Sequence, residues 1–169
     1  ILNPDRIVVV PDLDAGCSLS DGCPADRYRR WREQHPGAVG VTYINYNLKD
    51  PLIADAKVRK AFSMLIDQAT IVNDIYKGVD KVANSIVLPS SWAYSDAVKQ
   101  PTFDVEGAKA LLKEAGWTDS NNDRILDKGG QKLTVTLATH SEDPNRVQAV
   151  EFMQAIFSEA GVDAKTQIT

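Results

Sequence analysis

The fold is decided by VGVTYINYNLKDP, residues 39–51, which opens as a strand and closes at a proline. The two faces of this strand carry Val39, Val41, Tyr43 and Asn45 on one side, and Gly40, Thr42 and Ile44 on the other. Its β-branched and aromatic residues are typical of a pleated, largely buried surface. Pro51 cannot continue a central strand, so the strand ends before it. We predict that this strand is the seam between two segments of different character.

The composition indicates one globular domain, residues 1–169. Hydrophobic residues make up 43% and charged residues 25% of the chain, which is typical of such domains. The net charge of −4 argues against a nucleic-acid partner, which selects a basic surface. No apolar run of about 18 residues occurs, and no signal-peptide pattern opens the printed sequence, so we expect no membrane partner. The sequence leaves the oligomeric state open.

A strand–helix–strand unit precedes and includes the seam. The run RIVVV, residues 6–10, is short and β-branched, which favours a strand buried on both faces. A glycine- and serine-rich loop follows, and Pro24 is a suitable first residue for a helix that ends before Pro36. The helix carries a cluster of basic residues: Arg27, Arg29, Arg30 and Arg32. We interpret this cluster as a solvated helix face rather than a phosphate site.

The segment NPDRIVVVPDLDAGCSLSDGCPADRYRRWREQHPGAVGVTYIN, within residues 1–45, resembles part of the bacterial quinolinate synthases. That family is a cytoplasmic enzyme family with a 4Fe–4S cluster held by three cysteines, and the resemblance implies that Cys17 matches the first cluster ligand. No cysteine follows Cys23, however, and such a cluster needs three or four thiolates. We therefore expect Cys17 to be a vestigial ligand, with no cofactor bound and no catalytic residue retained.

The remaining chain alternates predicted helices with strands. Apolar spacings of three and four residues predict helices at 54–67 and 70–76. A long loop, 79–96, follows, with Val87, Leu88, Trp92 and Tyr94 expected to pack down as anchors. Asp104 is a good N-cap for a helix at 105–115, and Asp143 with Pro144 starts the last helix. Strands are predicted at 133–138 and 162–168, separated from the earlier helix by a turn-rich link at 119–131.

Residues 46–169 resemble a lobe of the solute-binding proteins of dipeptide, oligopeptide and nickel ABC importers. The resemblance rests on YNLKDPLIADAKVRKAFSMLIDQATIVNDIYKG, LPSSWAY, FDVEGAKALLKEAGW and DSNNDRILDKGGQKL, which occur in this order. It implies a periplasmic or extracellular protein that binds peptides or metal chelates between two lobes and delivers them to a permease. No ligand contact transfers residue by residue. Trp92 and Tyr94 are either aromatic residues of the cleft or anchors of the lobe.

One further pattern suggests a metal site. Oxygen-bearing side chains alternate in a loop like the first half of a calcium-binding EF-hand, at Asp119, Asn121, Asp123 and Asp127. Arg124 and Gly130 stand where that loop requires Gly and Glu, so a turn held by Asx hydrogen bonds is the plainer interpretation.

The histidines suggest no catalytic site. His35 lies at a predicted helix end, where the helix dipole favours a cation. His140 precedes Ser141 and Glu142, but residues adjacent in sequence rarely form a catalytic triad, and no G-x-S-x-G motif occurs. No nucleotide-binding glycine motif occurs either.

These elements predict a three-layer α/β fold, like a periplasmic-binding-protein lobe, with a mainly parallel sheet of four or five strands and helices on both faces. The four clear strands take the order 2-1-3-4. Ligands of open parallel sheets bind beyond the carboxyl ends of the strands, where the strand order reverses. We therefore predict a weak anion site at Gly16, Ser18 and the amides after Asp143.

Because neither resembling segment is complete, we interpret the chain as an engineered chimera without catalytic activity. The alternative is the isolated ligand-binding lobe of a peptide or nickel importer protein, with a weakly bound peptide or anion. An enzyme of quinolinate synthesis is the third hypothesis, and the missing cysteines argue against it. The localisation of a chimera does not follow from its parents, one cytoplasmic and the other periplasmic or extracellular.

Overall fold

The computed structural model describes residues 41–87, 89, 91–141 and 143–169, together with the backbone of residues 6–10. Several predictions fall outside these residues: the helix from Pro24, its arginine cluster, Cys17, Cys23, His35, Gly16, Ser18, Leu88 and Glu142.

Among the described residues, four strands form the main sheet, in the predicted order. They are β1 (Arg6–Val10), β2 (Tyr43–Asn45), β5 (Thr134–Thr139) and β6 (Asp163–Ile168), arranged β2-β1-β5-β6. The pairs β1–β5 and β5–β6 are parallel, so the mainly parallel α/β sheet is confirmed. Two short strands, β3 (Asp127–Lys128) and β4 (Gln131–Lys132), form a separate hairpin within the turn-rich link.

The seam strand differs from its prediction in length, burial and direction. β2 has only three residues, pairs antiparallel with β1 and lies at one end of the described sheet. The side chain of Tyr43 is 38% exposed, and that of Ile44 is half-buried. The prediction of a largely buried strand was wrong, because alternating β-branched residues also suit an edge strand with one solvent-exposed face. The antiparallel direction shows that β1 and β2 are not joined as a parallel crossover unit.

Aspartates begin each helix in the described part of the chain after β2. The predicted helix at 54–67 corresponds to α2 (Ala56–Met64), and a separate short helix, α1 (Pro51–Ala54), precedes it. Asp55 lies between them with an extended backbone, and its carboxylate accepts a hydrogen bond from the Lys57 amide at 2.8 Å. An N-cap requires a non-helical backbone, so this cap makes the helix start at Ala56 instead of the predicted Ala54.

The second predicted helix, at 70–76, has an irregular geometry. α3 (Gln68–Thr70) is capped by the side chain of Asp67 and continues as a π-helical turn over Ile71–Ile75. From Tyr76 to Asp104 the described residues form turns and bends without a helix or strand, as predicted for the loop at 79–96.

The two longer helices begin at the predicted caps. α4 (Val105–Glu114) starts at Asp104, whose carboxylate accepts a hydrogen bond from the Gly107 amide at 2.8 Å. α5 (Pro144–Glu159) starts at Asp143, with proline in its first turn. Gly161 follows α5 with a φ of +85°, a conformation that glycine adopts without a steric penalty.

The core lies between these helices and the sheet. α5 packs on β5 and β6, and α2 packs on α4. The rings of Phe62 in α2 and Phe157 in α5 have centroids 5.1 Å apart, which joins the two groups of helices. The largest fully buried side chains of the described residues are Phe62, Phe157, Leu65, Leu112, Leu133, Leu137, Val58, Val150 and Val162. This core fixes the position of the carboxyl end of β5 relative to the start of α5.

Among the described residues, no helix combines the length and the apolar character needed to cross a lipid bilayer.

Candidate functional site: the corner between β5 and α5

The chain turns from β5 into α5 at the carboxyl end of two parallel strands. We call this turn, with the end of β6, the β5–α5 corner: Thr139, His140, Ser141, Asp143, Arg146 and Thr169. The Thr169 amide donates to the Thr139 carbonyl at 3.0 Å, and the Ser141 amide donates to the Thr169 carbonyl at 2.8 Å. These two backbone bonds extend the β5–β6 pairing past the strands and hold the corner in one shape.

A buried ion pair between Asp143 and Arg146 stabilises the corner. The Arg146 Nε donates to the Asp143 Oδ2 at 2.6 Å, and each side chain is 7% exposed. The Asp143 Oδ1 accepts hydrogen bonds from the amides of Asn145 and Arg146, at 2.9 and 3.3 Å. One carboxylate therefore caps α5 and also neutralises a buried guanidinium.

This capping bears on the α5 side of the predicted anion site, which stays a prediction. The first amides of α5 were expected to receive an external anion, but Asp143 occupies two of them with its own carboxylate. A bound anion would have to displace this negative charge, which the local electrostatics oppose. The other predicted members of that site, Gly16 and Ser18, lie outside the described residues.

Three residues of the corner are exposed, His140, Ser141 and Thr169, and the other three are buried. His140 and Ser141 are exposed, whereas Thr139 is only 3% exposed. The Thr139 Oγ1 is buried without a hydrogen-bond partner. The His140 Nδ1 lies 3.3 Å from the Thr169 Oγ1, and the Ser141 Oγ donates to the Thr169 carbonyl at 3.2 Å. No described hydrogen bond joins Ser141 to His140, and the corner offers donors and acceptors to a ligand rather than an activated nucleophile.

The acidic loop before β3 is held by hydrogen bonds within itself. Asp119 accepts from the amides of Asp123 and Arg124 at 3.1 and 2.9 Å, and Asp123 accepts from the Ile125 amide at 2.9 Å. Asn121 accepts from the Asp123 amide, and the Asp127 carboxylate accepts from the amide and hydroxyl of Ser120.

The arrangement of this loop is that of Asx turns, with oxygens directed at protein N–H groups. Lys132 Nζ lies 2.6 Å from the Asp123 Oδ2, and this hydrogen bond lowers the pKa of Asp123 and raises that of Lys132. In residues 41–87, 89, 91–141 and 143–169 no group of three or more His, Cys, Asp or Glu side chains is arranged to hold a metal ion.

The loop between α3 and α4 exposes apolar side chains. Trp92 is 98% exposed, so its predicted role as a packed anchor was wrong, whereas Val87 and Tyr94 are half-buried. A hydrogen bond from Tyr94 to Asp96 raises the pKa of the tyrosine. The exposed large apolar side chains of this segment are Val82, Ile86, Trp92, Val98 and Phe103.

Sequence reasoning missed one buried polar contact next to β2. The Tyr46 hydroxyl lies 3.1 Å from the Ser63 Oγ of α2, and burial raises the pKa of the tyrosine. The adjacent Asn47 has a buried Nδ2 without a partner, while its Oδ1 accepts from the Lys49 amide at 3.1 Å. The signal in the sequence was Tyr46 followed by Asn47, directly after an alternating strand. Such side chains need hydrogen-bond partners once they are buried.

Comparison with known proteins gives two kinds of match. The model of "Bacterial extracellular solute-binding proteins, family 5 Middle" matches residues 24–169. The oligopeptide-binding protein AppA of Bacillus subtilis (strain 168) is 33% identical over 173 aligned positions, covering 98% of this chain and 32% of AppA. Quinolinate synthase of Prosthecochloris aestuarii (strain DSM 271 / SK 413) is 58% identical over 45 residues, covering 27% of this chain and 14% of the enzyme.

Solved structures support the same fold. The structure of AppA from Bacillus subtilis in complex with a nonapeptide has a TM-score of 0.70 and 37% identity, covering 75% of this chain and 26% of AppA. NikZ from Campylobacter jejuni in complex with Ni(L-His) has a TM-score of 0.68 and 32% identity, covering 73% of this chain and 25% of NikZ.

The chain thus spans about a third or less of the length of these relatives. Both predicted resemblances are confirmed: a short segment is similar to quinolinate synthases, and most of the chain is similar to solute-binding proteins. With a family match over residues 24–169 and the corresponding α/β fold, the chain belongs to the family 5 bacterial extracellular solute-binding proteins.

Proposed function

We propose that the chain is a ligand-binding lobe of a solute-binding protein for peptides or nickel chelates, and that it acts outside the cytoplasm without catalysis. The observation that carries this proposal is the family match over residues 24–169, together with a fold shared with AppA, whose solved structure holds a nonapeptide. This family match is the finding that favours the binding lobe over the engineered scaffold.

The β5–α5 corner is the candidate contact surface on this lobe. It lies at the carboxyl end of β5. In the order β2-β1-β5-β6, β2 lies on one side of β1 and β5 on the other, so the strand order reverses between β1 and β5. Open α/β sheets bind ligands at such a point. His140 and Ser141 present exposed polar groups there, on a backbone fixed by the bonds to Thr169. One lobe supplies only part of a two-lobed cleft, so we expect affinities of roughly millimolar, or about 4 kcal/mol.

An NMR titration tests this proposal. We would add a nonapeptide, nickel with L-histidine, or phosphate to the ¹⁵N-labelled chain. Binding should shift the amides of the corner, with the His140→Ala variant weakening the preferred ligand about tenfold, or ~1.4 kcal/mol. Glu151→Gln, an exposed change further along α5, is the matched control and should leave binding unchanged.

Two outcomes would contradict the proposal. Absence of shifts with all three ligands at several times the expected dissociation constant would favour the scaffold interpretation. Shifts confined to the opposite end of the sheet, around Lys132, would show that the corner is not the contact surface.

A further inference from the structure

β1 is the strand that connects the two sides of the sheet. Its parallel register with β5 joins Arg6 to Thr136, Ile7 to Leu137 and Val8 to Ala138. Its antiparallel register with β2 joins Val8 to Asn45, Val9 to Ile44 and Val10 to Tyr43. We call the space between the facing edges of β2 and β5 the strand slot. Among the described strands, β1 is the only partner of β2.

The strand slot makes two physical demands on its occupant. The other edge of β5 is paired with β6 over all six residues, so the N–H and C=O groups on the slot side need a second strand. Successive β5 residues Leu137 and Ala138, which point to opposite faces of the sheet, are both buried. An occupant next to such a strand must therefore be apolar at consecutive positions. The run Ile7–Val10, with four consecutive β-branched residues, meets this demand.

We infer that the strand slot is a strand-binding site, that Arg6–Val10 occupies it from the same chain, and that a separate extended peptide of this sequence fits the same place. Main-chain hydrogen bonds to two edges supply the attraction, and the pattern of β-branched side chains supplies the selectivity. This site differs from the β5–α5 corner and does not depend on the proposed function.

A proline in β1 tests the inference in the full chain. Val8 is the one residue of β1 that pairs with both β2 and β5, and proline removes the N–H that a central strand needs. We expect Val8→Pro to lose hydrogen-exchange protection at residues 43–45 and 136–138. Adding the peptide NPDRIVVVP should bind saturably and restore that protection, whereas NPDRIPVVP should do neither. The unchanged chain, whose slot is filled, should not bind either peptide.

A second measurement uses the unchanged chain, so its result does not depend on whether Val8→Pro folds. Inter-strand nuclear Overhauser contacts between residues 6–8 and 136–138 should be present, because they report the parallel register directly. Their absence would overturn the inference. Full hydrogen-exchange protection of residues 43–45 and 136–138 in Val8→Pro would also overturn it. So would failure of the peptide NPDRIVVVP to restore lost protection, whether the variant alone is folded or unfolded.

Discussion

At the scale of the residue, Asp143 performs two tasks that a substitution can separate. Asparagine caps helices about as well as aspartate, so Asp143→Asn keeps the cap but removes the charge that neutralises Arg146. An uncompensated buried charge costs about 3–5 kcal/mol, and we expect the free energy of unfolding to fall by that amount in urea titrations. The matched control is Asp104→Asn at the exposed cap of α4, where no ion pair is lost and the change should stay below about 0.5 kcal/mol. Equal losses in the two variants would show that the ion pair contributes nothing beyond the cap.

At the scale of the element, the sequence predicted helix starts well and burial less well. Asp104 and Asp143 marked their helices because a short acidic side chain just before an apolar run satisfies free amides. Asp55 was missed as a cap because Ala54, four residues before Val58, fits the apolar spacing of the helix. Trp92 was assigned to the interior from its hydrophobicity, yet no periodic pattern fixed the direction of its side chain. Of the candidate site, the cap at Asp143 was predictable, but its ion pair with Arg146 was not, since either residue could have faced solvent.

The edge position of β2 gives a prediction at this same scale. Ile44 is half-buried, whereas Leu137 in β5 is 1% exposed. Truncation to alanine removes buried methyl groups and leaves a cavity only where the surroundings are packed on all sides. We expect Leu137→Ala to cost about 3–5 kcal/mol and Ile44→Ala about 1–2 kcal/mol, measured by chemical denaturation. A larger loss at Ile44 than at Leu137 would place β2, not β5, at the centre of the fold.

At the scale of the whole molecule, the predicted strand order is confirmed while the direction of β2 is not. The order followed from the alternation of elements, which restricts how strands and helices can pack. Direction depends on the path of the connection between β1 and β2, and a strand pattern reads the same in either direction. Apolar and polar side chains alternate in the same way in parallel and antiparallel strands, so this pattern does not predict the direction of β2.

The continuity of the core predicts how the molecule unfolds. The elements α1, α2, α4, β5, α5 and β6 share one cluster of buried side chains, and β1 joins β2 to that cluster through the sheet. A domain of this size with one core should unfold in a single cooperative step, as the prediction of one domain requires. Trp117 is buried and Trp92 is exposed, so a chain with Trp31→Phe and Trp92→Phe reports on the core through Trp117 alone. In urea, its fluorescence and the far-ultraviolet circular dichroism should change at the same midpoint. Two separated transitions would mean that the seam divides the chain into units that fold independently.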